Sequence, residues 1–327
     1  MATNIHKIII VGGGFGGVRT ARALAKNADT EVTLISDEPD FAYYPQLYHA
    51  ATGGSRSEAT LPLIALLEQT GTTIVIDKVV SIDPHDKSIT CDSGNNYHYD
   101  QIVFALGTVT NFFDIKGLKE FAYDIKTING AVRFKSHLHH EIIGLRKPEL
   151  HYVVIGGGST GVELAAALVE YLNRIIRLHQ LKVTRFSVDL VEAAPRILPH
   201  SSESFSKNIT KRLKKIGVHV MTGTPVEAET ADELIIKGKP LQSHSVVWTS
   251  GVSNNPFFAE NNKVFTLSKN GKVQVNKYLE GYKDVYVIGD SADTQYSGLA
   301  QTAVNDANYV AKDIAKSIRK TAAAKGK

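Results

Sequence analysis

Two stretches of the chain repeat one order of apolar and polar positions. An apolar run comes first, a glycine-rich turn follows, and apolar residues then recur at helical spacing. The runs at residues 8–11 and 152–155 are rich in β-branched residues and predict buried strands. The periodic stretches at residues 19–25 and 162–172 predict helices. The pattern therefore predicts two strand–turn–helix units, one near the start and one near the middle of the chain.

Both turns carry glycines at the spacing G-x-G-x-x-G. The first glycine allows a tight turn, the second allows the backbone to approach a pyrophosphate, and the third allows the helix to pack on the strand. The N–H groups that open the helix favour a negative charge. The residues assigned to these two phosphate cradles are Gly12, Gly14, Phe15, Gly16 and Gly17 in the first and Gly156, Gly158, Ser159, Thr160 and Gly161 in the second.

An acidic residue at the end of the next strand would complete each unit by binding ribose hydroxyls. In the second unit the segment VDLVEAAPR supplies Glu192. No arginine follows it immediately, and its carboxylate would repel a 2′-phosphate, so NADH is favoured over NADPH. The stretch 173–185, which is polar and basic, predicts an extended helix and turn before that strand.

The first unit departs from this pattern. In EVTLISDEPDF the expected acidic position holds Ser36, and Asp37 and Glu38 follow. Asp37 could reach the ribose, Ser36 could bind it weakly, or the acidic pair could form only a solvated turn. The sequence leaves these alternatives open.

Composition limits the possible classes of protein. The chain has 327 residues, of which 43% are hydrophobic and 21% charged, as expected for about two globular domains. A formal net charge of +4 is too weak and dispersed to predict nucleic-acid binding. No apolar run has the length of a membrane-spanning helix, and no signal peptide is recognisable, so we expect a cytoplasmic protein.

The cysteine content excludes several kinds of redox and metal site. Cys91 is the single cysteine, so an intrachain disulfide, a CxxC redox pair and a cysteine-based zinc site are excluded. We predict no metal and no side-chain nucleophile. Two cradles predict two dinucleotides, and FAD with NADH is the pair between which electrons can pass.

At this point the chain resembles the flavoproteins with two dinucleotide-binding domains, and among them the type II NADH dehydrogenases. The resemblance extends from residue 6 to about residue 315. Beyond the glycine turns it depends on four segments in family order, which are YYPQLYHAATGG at 43–54, YDQIVFALGTVTNFF at 99–113, VVWTSGVSNNPFF at 246–258 and VYVIGDSAD at 285–293.

The resemblance implies further cofactor contacts. The residues implied to contact FAD are Val80, Ala105, Leu106, Gly107, Gly289, Asp290, Ala300 and Gln301, and Gly251 is implied to contact NADH. Leu106 stands where the family more often has threonine. The aspartate at position 290 would accept a hydrogen bond from the ribityl chain of FAD.

Three positions are implied to act in the reaction. Glu163 follows the second glycine turn, where we expect the helix dipole to stabilise its carboxylate and where it could orient nicotinamide or relay a proton. Gln301 matches the first glutamine of the family motif A-Q-x-A-x-Q at the quinone pocket. Asn305 replaces the second glutamine and keeps the amide on a shorter side chain. Both lie on one helix face because they are four residues apart.

We predict an α/β fold with two Rossmann-like dinucleotide-binding domains, one inserted in the other. The FAD-binding domain would comprise residues 1–116 and 273–327, and the NADH-binding domain residues 117–272. Turn residues within 74–98 predict a small antiparallel meander there. Cys91 falls in this meander and is expected to be structural.

The implied function is oxidation of NADH by flavin, followed by reduction of a quinone. One alternative is a reductase of a small redox protein such as a ferredoxin or rubredoxin. Another is an NADH-sensing flavoprotein with slow turnover. The sequence favours the quinone because of the segment at 300–305 and the aromatic-x-P-x-L segment.

Membrane contact and oligomeric state remain open at this point. The family usually continues with amphipathic helices that dock on the membrane and contribute to a dimer. Here Val310, Ile314 and Ile318 recur along a last helix with lysines on another face, and a basic tail follows. Such a helix can attract anionic lipid or can simply pack on the core. The sequence therefore leaves open whether the protein contacts the inner face of the cell membrane peripherally and whether it forms a homodimer.

Overall fold

A computed structural model of the chain describes residues 5–146, 151–182 and 186–325, with side chains of the last helix described as far as residue 320. Residues 183–185 of the predicted extended helix and turn, and the last two residues of the basic tail, lie outside the described residues. Within the described part, the helix of the second unit continues to Leu178, as the sequence predicts.

The strands and helices alternate along most of the chain. The strands are β1 His6–Val11, β2 Thr30–Ser36, β3 Asp40–Ala42, β4 Thr60–Pro62, β5 Thr73–Ile76, β6 Val79–Asp83, β7 Ser88–Cys91, β8 Asn96–His98, β9 Gln101–Phe104, β10 Thr108–Thr110, β11 Tyr123–Asp124, β12 His151–Ile155, β13 Ser187–Val191, β14 Val218–Met221, β15 Val226–Glu229, β16 Glu233–Ile236, β17 Lys239–Gln242, β18 Ser245–Trp248, β19 Val252–Asn254, β20 Glu280–Tyr282 and β21 Val285–Val287. The α-helices are α1 Phe15–Leu24, α2 Leu47–Ala51, α3 Arg56–Ala59, α4 Leu63–Leu67, α5 Leu118–Phe121, α6 Ile128–His139, α7 Ser159–Leu178, α8 Glu203–Ile216, α9 Phe257–Glu260 and α10 Ala300–Lys325. Single turns of 3₁₀ helix span Tyr44–Gln46, Glu68–Thr70 and Gly289–Ser291, and a π-helical turn spans His140–Gly144.

The chain packs as two compact units, each made of separate stretches of sequence. Unit 1 comprises residues 1–41, 61–109 and 253–327, and unit 2 comprises residues 42–60 and 110–252. The sequence predicts the same kind of division with other boundaries. It places 42–60 and 110–116 with the first glycine turn and 253–272 with the second, whereas these stretches pack with the opposite unit.

Unit 1 is built on a sheet in the order β20-β21-β9-β1-β2-β5, in which β21, β9, β1, β2 and β5 are parallel. Alternate side chains of β1 face opposite sides of the sheet. Ile8 and Ile10 pack with α1 and α10, whereas Ile9 and Val11 pack with the β6–β8 meander and with Phe257. Both faces of β1 are therefore buried, which explains its continuous apolar sequence.

Unit 2 repeats this arrangement on a parallel sheet in the order β11-β18-β12-β13-β14. Tyr152 and Val154 face the core that contains α7, and Val153 and Ile155 face the cluster around Trp248. The central pairings also correspond, because Val11 lies beside Phe104 in unit 1 and Ile155 lies beside Trp248 in unit 2. The predicted α/β fold with two Rossmann-like units is confirmed.

The antiparallel meander predicted within 74–98 is present as β6, β7 and β8, although the stretch begins with β5, which belongs to the parallel sheet. Cys91 ends β7 and is 1% exposed. Burial, with the nearby charge of Asp77, raises the pKa of its thiol to about 11. The thiolate is therefore scarce near neutral pH, in agreement with a structural role for this cysteine.

The last helix packs as its apolar spacing predicts. Val310, Ile314 and Ile318 of α10 are buried in the core of unit 1, whereas Lys312, Lys316 and Lys320 are exposed. Among the described residues, no helix combines the length and the hydrophobicity that crossing a bilayer requires.

Candidate functional site

The first glycine turn depends on glycines for two close backbone approaches. Gly12 has φ +114°, and a Cβ there would lie 2.4 Å from the carbonyl oxygen of Ala105. A Cβ on Gly17 would lie 1.8 Å from the carbonyl oxygen of Gly12. Any side chain at either position would separate α1 from the strands on which it packs. The turn thereby brings the segment Ala105–Gly107, which the sequence implicates in FAD binding, against the first cradle.

The second glycine turn has the same geometry. Gly156 also has φ +114°, and a Cβ on Gly161 would lie 1.8 Å from the carbonyl oxygen of Gly156. Thr249 supports this turn, because its hydroxyl donates to the carbonyl of Ile155 at 2.9 Å and to that of Gly156 at 3.3 Å. The two turns are thus matching structures in separate units.

Both turns leave room where a phosphate would approach. No atom lies within 4 Å of the Cβ position of Gly14 or Gly158, the second glycine of each motif. These two glycines are also the N-caps of α1 and α7, and no side chain caps either helix. Helix N–H groups that lack a side-chain partner bind anions well. The residues present therefore fit the pyrophosphate of a dinucleotide in each unit.

Glu192 connects the second glycine turn to the end of β13. One carboxylate oxygen accepts the N–H of Gly157 at 2.6 Å, and the other accepts the N–H of Ala194 at 2.6 Å. These bonds fix the carboxylate beside the cradle, where its remaining lone pairs can accept ribose hydroxyls. Arg196 is four residues away, but its guanidinium donates to the carbonyls of Leu198 and Pro199. It is therefore already engaged by its own loop.

Ser36 occupies the corresponding place in unit 1. Its hydroxyl oxygen lies 2.7 Å from the Cβ position of Gly13, much as a Glu192 oxygen lies 2.9 Å from that of Gly157. The hydroxyl donates to the carbonyl of Glu38 at 2.8 Å and accepts its N–H at 3.3 Å. Ser36 thus stabilises the turn after β2, while Asp37 is exposed. Which of the two meets the ribose stays a prediction.

The segment Gly289–Ser291 contacts the segment Ala105–Gly107, which lies beside the first cradle. Ser291 donates to the carbonyl of Gly107 at 2.9 Å, which holds two of the FAD-binding segments together. Asp290 accepts the N–H of Gly298 at 3.0 Å. Gly289 has φ +68°, and its N–H donates to the carboxylate of Asp306 at 3.0 Å. Unit 1 therefore gathers the first glycine turn, residues 105–107 and residues 289–291 at one place.

Two other predicted cofactor contacts lie outside the glycine turns. Val80 is half-buried in β6, where its carbonyl accepts from the amide of Asn261 at 3.3 Å. Gly251 has φ +77°, and a Cβ there would lie 2.3 Å from the ring of Phe113. Packing against Phe113 is thus a structural reason for glycine at this position, alongside the predicted contact with NADH.

Glu163 lies in the second turn of α7, not the first. The helix begins at Ser159, so the four free N–H groups precede Glu163 and the expected stabilisation by the helix dipole is small. Partial desolvation instead raises the pKa of the carboxyl group. A raised pKa favours the protonated form, which suits a group that passes a proton.

Gln301 and Asn305 share one face of α10, as their spacing predicts. The Gln301 amide donates to the Asn305 side-chain oxygen at 3.0 Å, and both residues are exposed, as is Ala300 before them. The pair presents amide groups to the surroundings of unit 1. Their role toward a quinone stays a prediction.

Sequence reasoning missed Thr249, Ser291, Asp306 and Arg196. An internal comparison could have identified Thr249, because Phe104–Gly107 and Trp248–Gly251 follow equivalent strands of the two units. The position of Asp306 depends on how α10 packs. No sequence motif indicates that its carboxylate reaches Gly289.

Comparison with known proteins gives the family. The model of the pyridine nucleotide-disulphide oxidoreductases matches residues 6–307. A type II NADH:quinone oxidoreductase of Mycobacterium tuberculosis, Ndh, is 30% identical over 94% of this chain and 72% of that protein. The chain belongs to the type II NADH:quinone oxidoreductases. A second type II enzyme, from Staphylococcus saprophyticus, is 27% identical over 96% of this chain and 83% of that protein.

Solved structures of other proteins share the fold of the present chain. The NDH2 of Plasmodium falciparum in complex with NADH has a TM-score of 0.80 at 23% identity, covering 88% of this chain. This chain spans 64% of that structure. The sulfide:quinone oxidoreductase of Aquifex aeolicus also has a TM-score of 0.80, at 22% identity, covering 96% of this chain and 77% of that one.

Proposed function

We propose that this chain oxidises NADH through FAD and passes the electrons to a quinone. The observation that carries the proposal is the matching pair of glycine cradles, one per unit, of which only the second has a glutamate at the ribose position. Two cradles accommodate two dinucleotides, and the family to which the chain belongs transfers electrons from NADH to quinone.

FAD would be held by unit 1. The first glycine turn would bind its pyrophosphate through the free N–H groups of α1. Asp290, together with residues 105–107 and 289, would bind the parts of FAD beyond the pyrophosphate. Asp290 accepts from Gly298 through one carboxylate oxygen, so the other oxygen is available for a hydroxyl of the cofactor. When bound, the flavin supplies an acceptor for two electrons and a donor of those electrons to a quinone.

NADH would be held by unit 2. The second glycine turn would bind the pyrophosphate, and Glu192 would accept the ribose hydroxyls. The fixed carboxylate would repel a 2′-phosphate, and Arg196 donates to backbone carbonyls instead of meeting that phosphate. The arrangement therefore supports NADH over NADPH.

The protein contributes binding and proton handling. Cys91, the single cysteine, is buried with a raised pKa, so protein sulfur takes no part. Glu163, with its raised pKa, is the proposed proton-relaying residue of unit 2. Gln301 and Asn305 are the proposed hydrogen-bonding residues for the quinone carbonyls in unit 1.

An anaerobic absorbance experiment tests the proposal. The FAD-loaded protein is mixed with NADH while flavin absorbance is followed, and a soluble quinone is then added. We expect bleaching by NADH and rapid recovery with quinone. Bleaching without recovery would refute the quinone step, whereas failure to bleach would refute the assignment of NADH to the second cradle.

We also propose that the protein contacts the membrane surface and forms a homodimer. The buried apolar face of α10 leaves its lysines exposed, which supports peripheral, electrostatic contact with the anionic inner face of the cell membrane. Contact of this kind should weaken as salt is raised in a vesicle sedimentation assay. A homodimer is proposed from the resemblance to the family, and sedimentation equilibrium of the FAD-loaded protein tests it.

A further inference from the structure

Unit 2 contains a cleft, apart from its glycine cradle, that the proposed reaction does not use. Its volume is about 530 Å³, within the range of small-molecule sites. It is lined by α6 at Lys135 and His139, by the π-helical turn, by Gly53 and by Tyr171 of α7. Tyr171 follows the start of α7 by about 18 Å at 1.5 Å per residue, so the cleft is separate from the glycine cradle.

Two glycines allow the aromatic and basic groups of the cleft to lie close together. Gly53 has φ +102°, and a Cβ there would lie 2.6 Å from the ring of Tyr171 and 2.5 Å from the guanidinium of Arg174. A Cβ on Gly144 would lie 3.3 Å from Nδ1 of His140. The cleft is therefore formed by close packing between unlike segments, and side chains at these two positions would disturb it.

Hydrogen-bond donors that carry or can carry positive charge line the cleft at Lys135, His139 and His140, and Arg174 adjoins it beside Gly53. Lys135 donates one N–H to the carbonyl of Gly54 at 2.8 Å and has two more to offer. Arg174 lies over the ring of Tyr171 at 5.7 Å from its centroid and forms no ion pair with a described residue. None of the lining residues is acidic. The nearest acidic neighbours along the chain are Glu141, next to His140 of the π-helical turn, and Glu170, next to Tyr171 of α7.

Tyr171 supplies a hydroxyl group to the cleft. The residue as a whole is 5% exposed, and its hydroxyl forms no hydrogen bond with a described residue. Its oxygen is not fully buried, and the side chain lines the cleft, so the hydroxyl can donate a hydrogen bond into that space. Burial raises the pKa of the Tyr171 hydroxyl against the opposing effect of Arg174, so the group is a donor at neutral pH.

The wall opposite Tyr171 is irregular in a way often associated with binding sites. The α-helix α6 continues as one π-helical turn, His140–Gly144. Single π-helical turns occur frequently at functional sites. Here the turn brings His140 and the apolar Ile143 to the cleft.

We propose that this cleft binds a small organic phosphate. Lys135 and Tyr171 line one space, and the guanidinium of Arg174 adjoins it beside Gly53. Together they offer more N–H and O–H groups than one carboxylate has lone pairs to accept. A phosphate monoester presents three terminal oxygens and one to two negative charges. The volume exceeds that of a bare phosphate, and Ile143 with the Tyr171 ring provides an apolar surface for the organic part.

Two sources could supply the same chemistry. A soluble phosphate monoester would enter the cleft directly, whereas a membrane would present the phosphate as a lipid headgroup. The site recognises the phosphate in both cases, so one set of variants can be tested against both.

Calorimetric titration with phenyl phosphate tests the proposal. The FAD-loaded protein is saturated with NAD⁺, so that both glycine cradles are filled. We expect saturable binding that Lys135→Gln, Arg174→Gln and Tyr171→Phe each weaken about tenfold or more. Lys239→Gln, an exposed lysine on β17 of the same unit, should leave binding unchanged. Phenol should not bind, because it lacks the phosphate.

Vesicles containing phosphatidic acid identify the source. Vesicle binding that the three cleft variants weaken, without binding of phenyl phosphate, would assign the phosphate to a lipid headgroup. Binding of phenyl phosphate alone would assign it to a soluble compound. Absence of binding in both assays, or binding that the three variants leave unchanged, would overturn the proposal.

Discussion

A carboxylate oxygen of Glu192 accepts the backbone N–H of Gly157 at 2.6 Å. This bond fixes the negative charge beside the second cradle before any nucleotide arrives. Replacing Glu192 by Gln removes the charge but keeps an acceptor. We expect the KM for NADH to rise and that for NADPH to fall, each by roughly tenfold, which corresponds to about 1.4 kcal/mol.

Steady-state kinetics with both nucleotides measures this change. Glu203→Gln, on the exposed face of α8, is the matched control and should alter neither KM. An unchanged preference in Glu192→Gln would mean that the carboxylate does not set the choice between the two nucleotides.

Two substitutions in the second glycine turn should affect stability and NADH binding separately. In Gly161→Ala the new Cβ would meet the carbonyl oxygen of Gly156 at 1.8 Å, so we expect a loss of stability of about 2 kcal/mol or more. In Gly158→Ala the methyl group meets no protein atom within 4 Å. That variant should keep its thermal unfolding temperature and lose NADH affinity by tenfold or more.

Thermal unfolding and NADH titration of the two variants provide the comparison. Normal NADH affinity in Gly158→Ala would show that the nucleotide does not approach this glycine. Gly14→Ala in unit 1 repeats the test for FAD, because the space around Gly14 is equally open.

The amide pair on α10 should affect only the second half of the reaction. Gln301→Leu and Asn305→Leu remove the proposed hydrogen bonds to quinone, so we expect the KM for quinone to rise several-fold. Reduction of the flavin by NADH in a stopped-flow experiment should keep its rate. Lys316→Gln, exposed farther along the helix, is the control. A slower NADH step in the leucine variants would contradict the assignment.

Asp306 should position the Gly289–Asp290 segment for FAD. Its carboxylate accepts the N–H of Gly289, and burial raises the pKa of that carboxyl group despite this bond. Asp306→Ala should weaken FAD binding by about tenfold, measured by fluorescence titration of the apoprotein, and Asp306→Asn should restore most of it. Asp313 lies on the same helix as Asp306 and accepts a hydrogen bond from the hydroxyl of Tyr286 in β21. Asp313→Ala removes that acceptor and should leave FAD affinity unchanged.

Glu229 should make unfolding depend on pH. It is 4% exposed, one carboxyl oxygen has no partner among the described residues, and burial raises its pKa from 4.5 to about 8. The folded protein therefore keeps a proton that the unfolded chain releases. Stability should be greatest below pH 4.5 as far as this group is concerned. It should fall as pH rises toward 8, by up to about 1.4 kcal/mol per pH unit.

Glu229→Gln should remove this dependence. Denaturant unfolding at pH 5 and pH 8 should show a gain in stability for the variant at pH 8 and little change at pH 5. The exposed Glu120→Gln should follow the wild-type profile. A wild-type slope that persists in Glu229→Gln would place the titrating group elsewhere.

The sequence predicts the repeated strand–turn–helix units because their requirements are local. A tight turn with φ +114° requires glycine at positions 12 and 156, and strands buried on both faces require continuous apolar runs. The pairing of Gln301 with Asn305 also follows from helical spacing alone. Local sequence therefore determines these features.

The boundaries of the units and several site residues depend on packing between distant segments. Phe257 stacks on Phe104 at 4.9 Å, which places residues 253–272 in unit 1. Leu47 and Ala50 join the core around α7, which places 42–60 in unit 2. Hydrophobic side chains do not specify their partners, so no local pattern predicts these assignments. The contact between Asp306 and Gly289 has the same origin.

The interrupted course of unit 1 also constrains when it can fold. Strand β9 pairs with β21, and α1 packs beside α10, so contacts essential to this unit join residues far apart in sequence. During synthesis the residues of unit 2 are complete before β21 and α10 emerge. High contact order of this kind slows folding. We therefore expect unit 2 to fold first on the ribosome, with unit 1 unable to retain its cofactor until β21 and α10 have emerged.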